Sequence, residues 1–112
     1  LNRGKLVSSS LKTIQKQIDD ILQAYEKPYW EPLSNVARLV EEVGEVARII
    51  NNKYGDKPKK PSEDVDDLED ELADVLWTVI CLANTEGVDL DKGIQRAIDK
   101  LVVRDKNRFR KK

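Results

Sequence analysis

The chain has 112 residues, with 20 Lys and Arg against 21 Asp and Glu, and a formal net charge of −1. This balance argues against a nucleic-acid-binding protein, which usually presents a basic surface. The absence of His and the single Cys exclude a His-dependent triad, a Cys/His zinc site and a disulfide within the chain. The longest apolar run, 75–83, is far shorter than the roughly 20 residues of a membrane span. We therefore expect a cytoplasmic protein with no membrane partner and no nucleic-acid partner.

The N-terminal half predicts two amphipathic helices after a flexible segment, 1–10. Ser8 to Ser10 offer good N-cap residues. Apolar residues then recur at steps of three and four from Leu11 to Tyr25, which is the pattern of one helix face. The second helix is predicted from about Leu33 to Asn52, with one main apolar stripe and a second apolar flank.

The C-terminal half predicts two further helices. A turn-rich basic connection leads to a third helix from Ser62 to about Glu86, after which Gly87 is a natural stop. Asp89 can cap a fourth helix, whose end frays into a basic tail at 106–112. Long helices joined by short turns indicate an all-α, four-helix-bundle-like fold, with one domain spanning 1–112.

Two pairs of acids interrupt the apolar surfaces of the second and third helices. Glu42 and Glu45 are three residues apart on one helix, and Glu71 and Asp74 on the other, so each pair shares a face. If the pairs face each other, two like charges about 4 Å apart cost roughly 4 kcal/mol at an effective dielectric near 20. Protonation or a divalent cation held by oxygen atoms would relieve this repulsion. The alternative is an ordinary solvated acidic face.

The same residues resemble a known family. The segments LVEEVGEVARII (39–50) and LEDELADVLWTVICLAN (68–84) are similar to the EExxE…ExxD signature of MazG-type nucleotide pyrophosphohydrolases. These are all-α enzymes related to the dimeric dUTPases, and the resemblance covers about 29–109. It implies Mg²⁺-dependent hydrolysis of nucleoside or deoxynucleoside triphosphates to the monophosphate and pyrophosphate, with Mn²⁺ as a substitute and nucleotide-pool cleaning as the role.

The resemblance also implies a set of metal ligands and a catalytic residue. Glu41, the first acid of EExxE, would support the site or orient the attacking water. The predicted metal ligands are Glu42, Glu45, Glu71 and Asp74. Trp77 and Cys81 lie among apolar neighbours in the sequence, and we expect both in the core.

Substrate contacts are predicted at both ends of the matching region. Lys100, Arg104 and Asn107 form a KxxxRDxN pattern that resembles the phosphate-contacting segment of the family, although a solvated basic tail would look the same. Trp30 and Leu33 could line a pocket for the base. Core packing or an oligomer contact is equally compatible with their position.

The second and third helices have more apolar surface than a four-helix monomer covers, so we predict a homodimer or tetramer with the active-site cleft near or across the interface. Two alternatives to a pyrophosphohydrolase remain open at this level. One is a non-catalytic helical interaction module, whose melting temperature would not respond to metal. The other is a nucleotide-binding regulator that binds nucleotide without releasing pyrophosphate.

Overall fold

The computed structural model describes residues 10–58 and 68–112. Within these ranges all regular secondary structure is helical, which confirms the predicted fold class. The elements are α1 (Leu11–Leu22), α2 (Pro32–Tyr54), α3 (Leu68–Glu86) and α4 (Leu90–Asp99), which continues into a π-helical turn (Lys100–Arg104). The predicted start of the third helix at Ser62 and almost all of the segment 1–10 lie outside the described residues.

Short polar side chains and a glycine set the helix ends. Ser10 Oγ accepts a hydrogen bond from the backbone N–H of Thr13 at 3.2 Å, and Asp89 Oδ1 accepts from that of Asp91 at 2.9 Å. Both N-caps were predicted, as was the stop at Gly87, which has a φ of +67°.

The prediction that α1 extends to Tyr25 is wrong, because the helix ends at Leu22. The backbone N–H groups of Ala24 and Tyr25 bond to carbonyls three residues back, which tightens and closes the last turn. α2 begins at Pro32, one residue earlier than predicted, since a proline suits the first position of a helix.

The core is small and is centred on α1 and α3. α2 packs along α3, while α1 packs against both α3 and α4. Buried Ile18, Ile80 and Cys81 form the central cluster. The partly buried residues packed on this cluster are Ile14, Leu22, Tyr29, Trp77 and Leu90.

A buried amide ties α1 to the turn between α3 and α4. Gln15 is 7% exposed, and its Nε2 donates to Asn84 Oδ1 at 3.1 Å and to the Val88 carbonyl at 2.8 Å. Gln15 Oε1 in turn accepts from the backbone N–H of Leu90 at 2.9 Å. Because every polar atom of this side chain has a partner, its burial does not penalise folding.

Among the described residues, five large apolar side chains on α2 and α3 remain exposed. Val36, Val40 and Val43 on α2 and Leu72 and Leu76 on α3 are between 45% and 67% exposed. We call these five residues the open apolar face. The Cα radius of gyration is 17.5 Å, against about 13 Å for a compact domain of this length. Among the described residues, no helix combines the length and the apolar character needed to cross a bilayer.

Candidate metal centre and adjoining cleft

Three of the predicted metal ligands meet between α2 and α3. Glu42, Glu71 and Asp74 each place a carboxylate oxygen within 4.8 Å of the other two. α2 and α3 pack along each other, and the spacing of three puts Glu71 and Asp74 on one side of α3. The Glu42 side chain is 19% exposed, whereas Asp74 is exposed. This cluster, which we call the acid triad, is therefore open to solvent at Asp74.

The acid triad fits a small divalent cation. Carboxylate oxygens are hard donors, and Mg²⁺ binds oxygen at about 2.0–2.1 Å, so two oxygens across one ion lie at most about 4.2 Å apart. The spacing within 4.8 Å requires an adjustment of about 0.6 Å or less to reach that limit. The three carboxylates also repel one another at this distance, and a bound cation would remove that repulsion.

The fourth predicted ligand, Glu45, is ion-paired elsewhere. Arg48 donates from Nε and Nη2 to Glu45 Oε2 at 3.1 and 3.0 Å. The Glu45 side chain is 49% exposed and is not a member of the acid triad. Glu41, predicted to orient water, is exposed on α2. The roles of both residues stay predictions.

Arg38 connects the acid triad to a neighbouring cleft. Its Nε lies 3.8 Å from Glu42 Oε1, one turn further along α2. Its guanidinium carbon lies 5.2 Å from the centroid of the Trp30 ring, within the range of a cation–π contact. No role was predicted for Arg38, although its spacing of four from Glu42 is the signal of an intrahelical ion pair.

The cleft has a volume of about 280 Å³ and lies where the α1–α2 connection meets α2 and α3. This is close to the lower end of the range for small-molecule sites, about 300–1,000 Å³. Aromatic rings dominate its walls, as is usual for ligand pockets. We call it the aromatic cleft; the lining residues that matter below are Tyr25, Tyr29, Trp30, Asn35, Arg38 and Trp77.

Hydrogen bonds hold one wall of the aromatic cleft in place. The Tyr29 hydroxyl donates to Asp19 Oδ1 at 2.5 Å and accepts from Asn84 Nδ2 at 3.0 Å. Burial, and then the hydrogen bond to Asp19, raises the pKa of Tyr29 to about 12. The hydrogen bonds from Tyr29 and then Gln23 lower the pKa of Asp19. The Tyr29 hydroxyl is therefore committed to these partners within the protein.

Trp77 and Cys81 are core residues, as predicted, and they also form the floor of the cleft. Cys81 is 7% exposed and belongs to the central cluster, against which Trp77 packs. Burial raises the pKa of the Cys81 thiol, an effect that nearby Arg38 partly opposes. A thiol with a raised pKa is protonated and a poor nucleophile near neutral pH, so Cys81 contributes to packing.

The two residues predicted for a base pocket have different positions. Trp30 lines the aromatic cleft and is 52% exposed. Leu33, on the first turn of α2, is 86% exposed and does not line this cleft. Asn35 lines the cleft instead and is 3% exposed. It was not predicted, because an Asn inside a helix carries no distinctive motif.

The three residues predicted to bind phosphate lie at the other end of the chain. Lys100 and Arg104 begin and end the π-helical turn, Asn107 follows it, and all three are exposed. Arg104 Nε and Nη2 each lie 3.2 Å from a carboxylate oxygen of Asp105. α4 packs chiefly against α1, so in a single copy the preceding helix is not docked on α2 beside the acid triad.

The acid triad and part of the aromatic cleft fall within a recognised domain. The sequence matches the MazG nucleotide pyrophosphohydrolase domain over residues 30–109. The chain belongs to the MazG nucleotide pyrophosphohydrolase family. It is 41% identical over 103 residues to YpjD of Bacillus subtilis (strain 168), covering 92% of this chain and 93% of that protein.

Two crystal structures have the same fold. The chain superposes on YpjD from Bacillus subtilis with a TM-score of 0.73 and 39% identity, over 85% of this chain and 97% of that one. It superposes on the Bacillus-conserved MazG protein, a nucleotide pyrophosphohydrolase, with a TM-score of 0.69 and 34% identity, over 85% and 91%. The family recognised from the two acidic motifs is thereby confirmed. This MazG-family chain is a nucleotide pyrophosphohydrolase.

Proposed function

We propose that the protein hydrolyses nucleoside or deoxynucleoside triphosphates between the α and β phosphates in a Mg²⁺-dependent reaction. One water is consumed, and the products are the nucleoside monophosphate and pyrophosphate, a reaction suited to cleaning the nucleotide pool. The observation that supports this is the convergence of Glu42, Glu71 and Asp74 from two helices within 4.8 Å. Family membership supplies the reaction class.

The acid triad would hold the cation, with Glu45 as a further ligand if it leaves Arg48. A bound Mg²⁺ supplies a more acidic water and neutralises charge on the phosphate oxygens. Glu41, adjacent to Glu42 on the same helix, is proposed to orient the attacking water. Mn²⁺, which also prefers oxygen ligands, should substitute for Mg²⁺.

Substrate binding requires groups other than carboxylates. We propose that Lys100, Arg104 and Asn107 contact phosphate oxygens, because Arg can bind such oxygens through two parallel N–H groups. Trp30 is proposed to stack on the base, since it lines the aromatic cleft and its neighbour Arg38 touches the acid triad. Leu33 remains a weaker candidate for the same pocket.

The direct test is a pyrophosphate-release assay over the eight common triphosphates, with and without Mg²⁺ or Mn²⁺. We expect turnover only with metal, and none from Glu42→Gln. Glu26→Gln, an exposed acid in the α1–α2 connection, is the control and should retain wild-type turnover. Turnover by Glu42→Gln at the wild-type rate would contradict the ligand assignment.

Thermal melts separate the non-catalytic alternatives. A ligand that binds only the folded state raises the melting temperature, so saturable stabilisation by Mg²⁺ is expected. An interaction module would show no stabilisation by metal and no turnover. A nucleotide-binding regulator would be stabilised by nucleotide with metal and would release no pyrophosphate.

We also propose that the protein assembles as a homodimer or tetramer through the open apolar face. The five residues of this face are 45–67% exposed, and covering them with a second copy would remove apolar surface from water. Val40→Glu, at 67% exposure, should yield a 12.8 kDa particle in sedimentation. Val88→Glu, outside this face, is the control. A monomeric wild-type protein at low micromolar concentration would contradict the assembly.

A further inference from the structure

Asn35 is an anomaly within the aromatic cleft. It is 3% exposed, and its side-chain Nδ2 has no hydrogen-bond partner among the residues that the structure describes. A buried amide donor without an acceptor destabilises a folded protein. The other buried polar side chains at this end of the molecule are satisfied; Gln15, for example, bonds through both amide atoms. An unsatisfied donor that lines a ligand-sized cleft indicates a missing acceptor.

The position of Asn35 relates the cleft to the acid triad. Asn35, Arg38 and Glu42 follow one another at steps of three and four, so they lie along one face of α2. At 1.5 Å per residue, seven residues span about 10 Å. A substrate whose phosphates reach Glu42 would extend past Arg38, and the group that reaches Asn35 would be the one farthest from the phosphates.

The polar groups around Asn35 are mostly hydrogen-bond donors. Lys27, Arg38, Trp30 and Trp77 also line the cleft, and each of these side chains can donate but not accept. The Tyr29 hydroxyl is already occupied by Asp19 and Asn84. A cleft with this excess of donors favours a ligand edge that presents carbonyl oxygens.

We propose that Asn35 determines base preference by donating from Nδ2 to a carbonyl oxygen on the base edge opposite the sugar. That oxygen is O6 in guanine and O4 in uracil or thymine, and adenine has no carbonyl there. The inference rests on the proposed function, because it takes the aromatic cleft as the base site of a triphosphate hydrolase. It adds the residue that reads the base and the class of base that is read.

Binding can test this without turnover. Calorimetric titrations would compare dGMP with 2-aminopurine deoxyriboside monophosphate, which lacks O6. For the wild type we expect dGMP to bind about tenfold more tightly, the ratio given by one hydrogen bond of about 1.4 kcal/mol. In Asn35→Leu the ratio of the two dissociation constants should fall to about one. This cycle isolates the contact between the amide and the carbonyl.

Asn51→Leu is the matched control, because Asn51 is exposed on the same helix and lies about 24 Å further along it. It should keep the wild-type ratio. Asn35→Leu should melt no lower than the wild type, since removing Nδ2 breaks no hydrogen bond. If the Leu variant does not fold, Asn35→Ser is used in the same titrations. Equal affinity of the wild type for dGMP and the analogue overturns the inference whatever the variants do.

Turnover distinguishes the two levels of the proposal. The same pair of bases, supplied as triphosphates, should show the same tenfold ratio in kcat/KM for the wild type. Pyrophosphate release with equal kcat/KM for the two triphosphates overturns the role of Asn35 and leaves the proposed function intact. A tenfold binding preference without pyrophosphate release overturns the proposed function and supports the role of Asn35.

Discussion

Asp74→Asn separates the electrostatics of the acid triad from its chemistry. In the absence of metal, Asp74 lies within 4.8 Å of both Glu42 and Glu71. The substitution keeps the shape of the side chain and removes its charge, and with it two repulsive pairs. We therefore expect a variant that is more stable than the wild type without metal and that releases no pyrophosphate.

The size of the effect follows from the spacing. Two unit charges 4.8 Å apart repel by about 0.9 kcal/mol in water and about 3.5 kcal/mol at an effective dielectric of 20. Because Asp74 is exposed, the value in water is the appropriate one. Two pairs then amount to about 2 kcal/mol, and at about 4 °C per kcal/mol this predicts a rise of roughly 8 °C in melting temperature.

The assay is a thermal melt in EDTA at low ionic strength, repeated at 1 M NaCl. Salt shortens the screening length to about 3 Å, so the difference between the variant and the wild type should shrink. Mg²⁺ should stabilise the wild type and leave Asp74→Asn nearly unchanged. Asp56→Asn, an exposed acid after α2, is the charge-matched control and should not raise the melting temperature. An Asp74→Asn protein that melts at or below the wild type in EDTA would refute the reasoning.

Three further variants test other parts of the structure. Arg104→Ala should raise the Michaelis constant about 10- to 100-fold, as loss of a hydrogen bond to a charged group would. The melting temperature should change little, because the Arg104 side chain is 64% exposed and ion pairs at the surface contribute little to stability; a wild-type Michaelis constant would contradict this. Tyr29→Phe should be less stable than the wild type mainly near neutral pH. The depressed pKa of Asp19 stabilises the folded state above the pKa that Asp19 has in the unfolded chain, and this stabilisation is lost as the pH falls through the pKa of Asp19 in the folded state. A difference in stability between variant and wild type that stays constant into acid would contradict this prediction. Glu45→Gln should weaken Mg²⁺ binding in calorimetry if Glu45 leaves Arg48 for the metal, and an unchanged affinity would remove it from the ligand set.

The fold could be predicted largely because local signals agreed with the tertiary structure. The caps at Ser10 and Asp89 and the stop at Gly87 depend on side chains and backbone angles within a few residues. α1 was predicted too long because the apolar period reaches Tyr25, a residue that is 64% exposed and lines the cleft. Periodicity shows that a residue is apolar and cannot show whether it packs in a core or lines a ligand site.

The acid triad was also accessible to sequence reasoning, because spacing on a helix places residues on faces. The same reasoning could not separate Glu42 from Glu45, since both lie on EExxE at compatible positions. In the structure, neighbouring arginines distinguish the two acids. Arg48 lies one turn from Glu45 and binds it, whereas Arg38 lies at the longer distance of 3.8 Å from Glu42. Which acid a neighbouring Arg captures depends on side-chain conformations that no spacing rule specifies.

Asn35 illustrates the remaining gap between the sequence and the site. Within α2 it lies between Ser34 and Val36, a position that looks like an ordinary exposed polar site near the start of a helix. Its significance depends on two facts that only a three-dimensional structure supplies, namely its burial to 3% and the lack of a described partner for Nδ2. Natural proteins retain unfavourable local arrangements mainly where function requires them. A buried Nδ2 without a described partner is such an arrangement, so the melting temperature of Asn35→Leu tests the proposed role of Asn35 alongside the base preference.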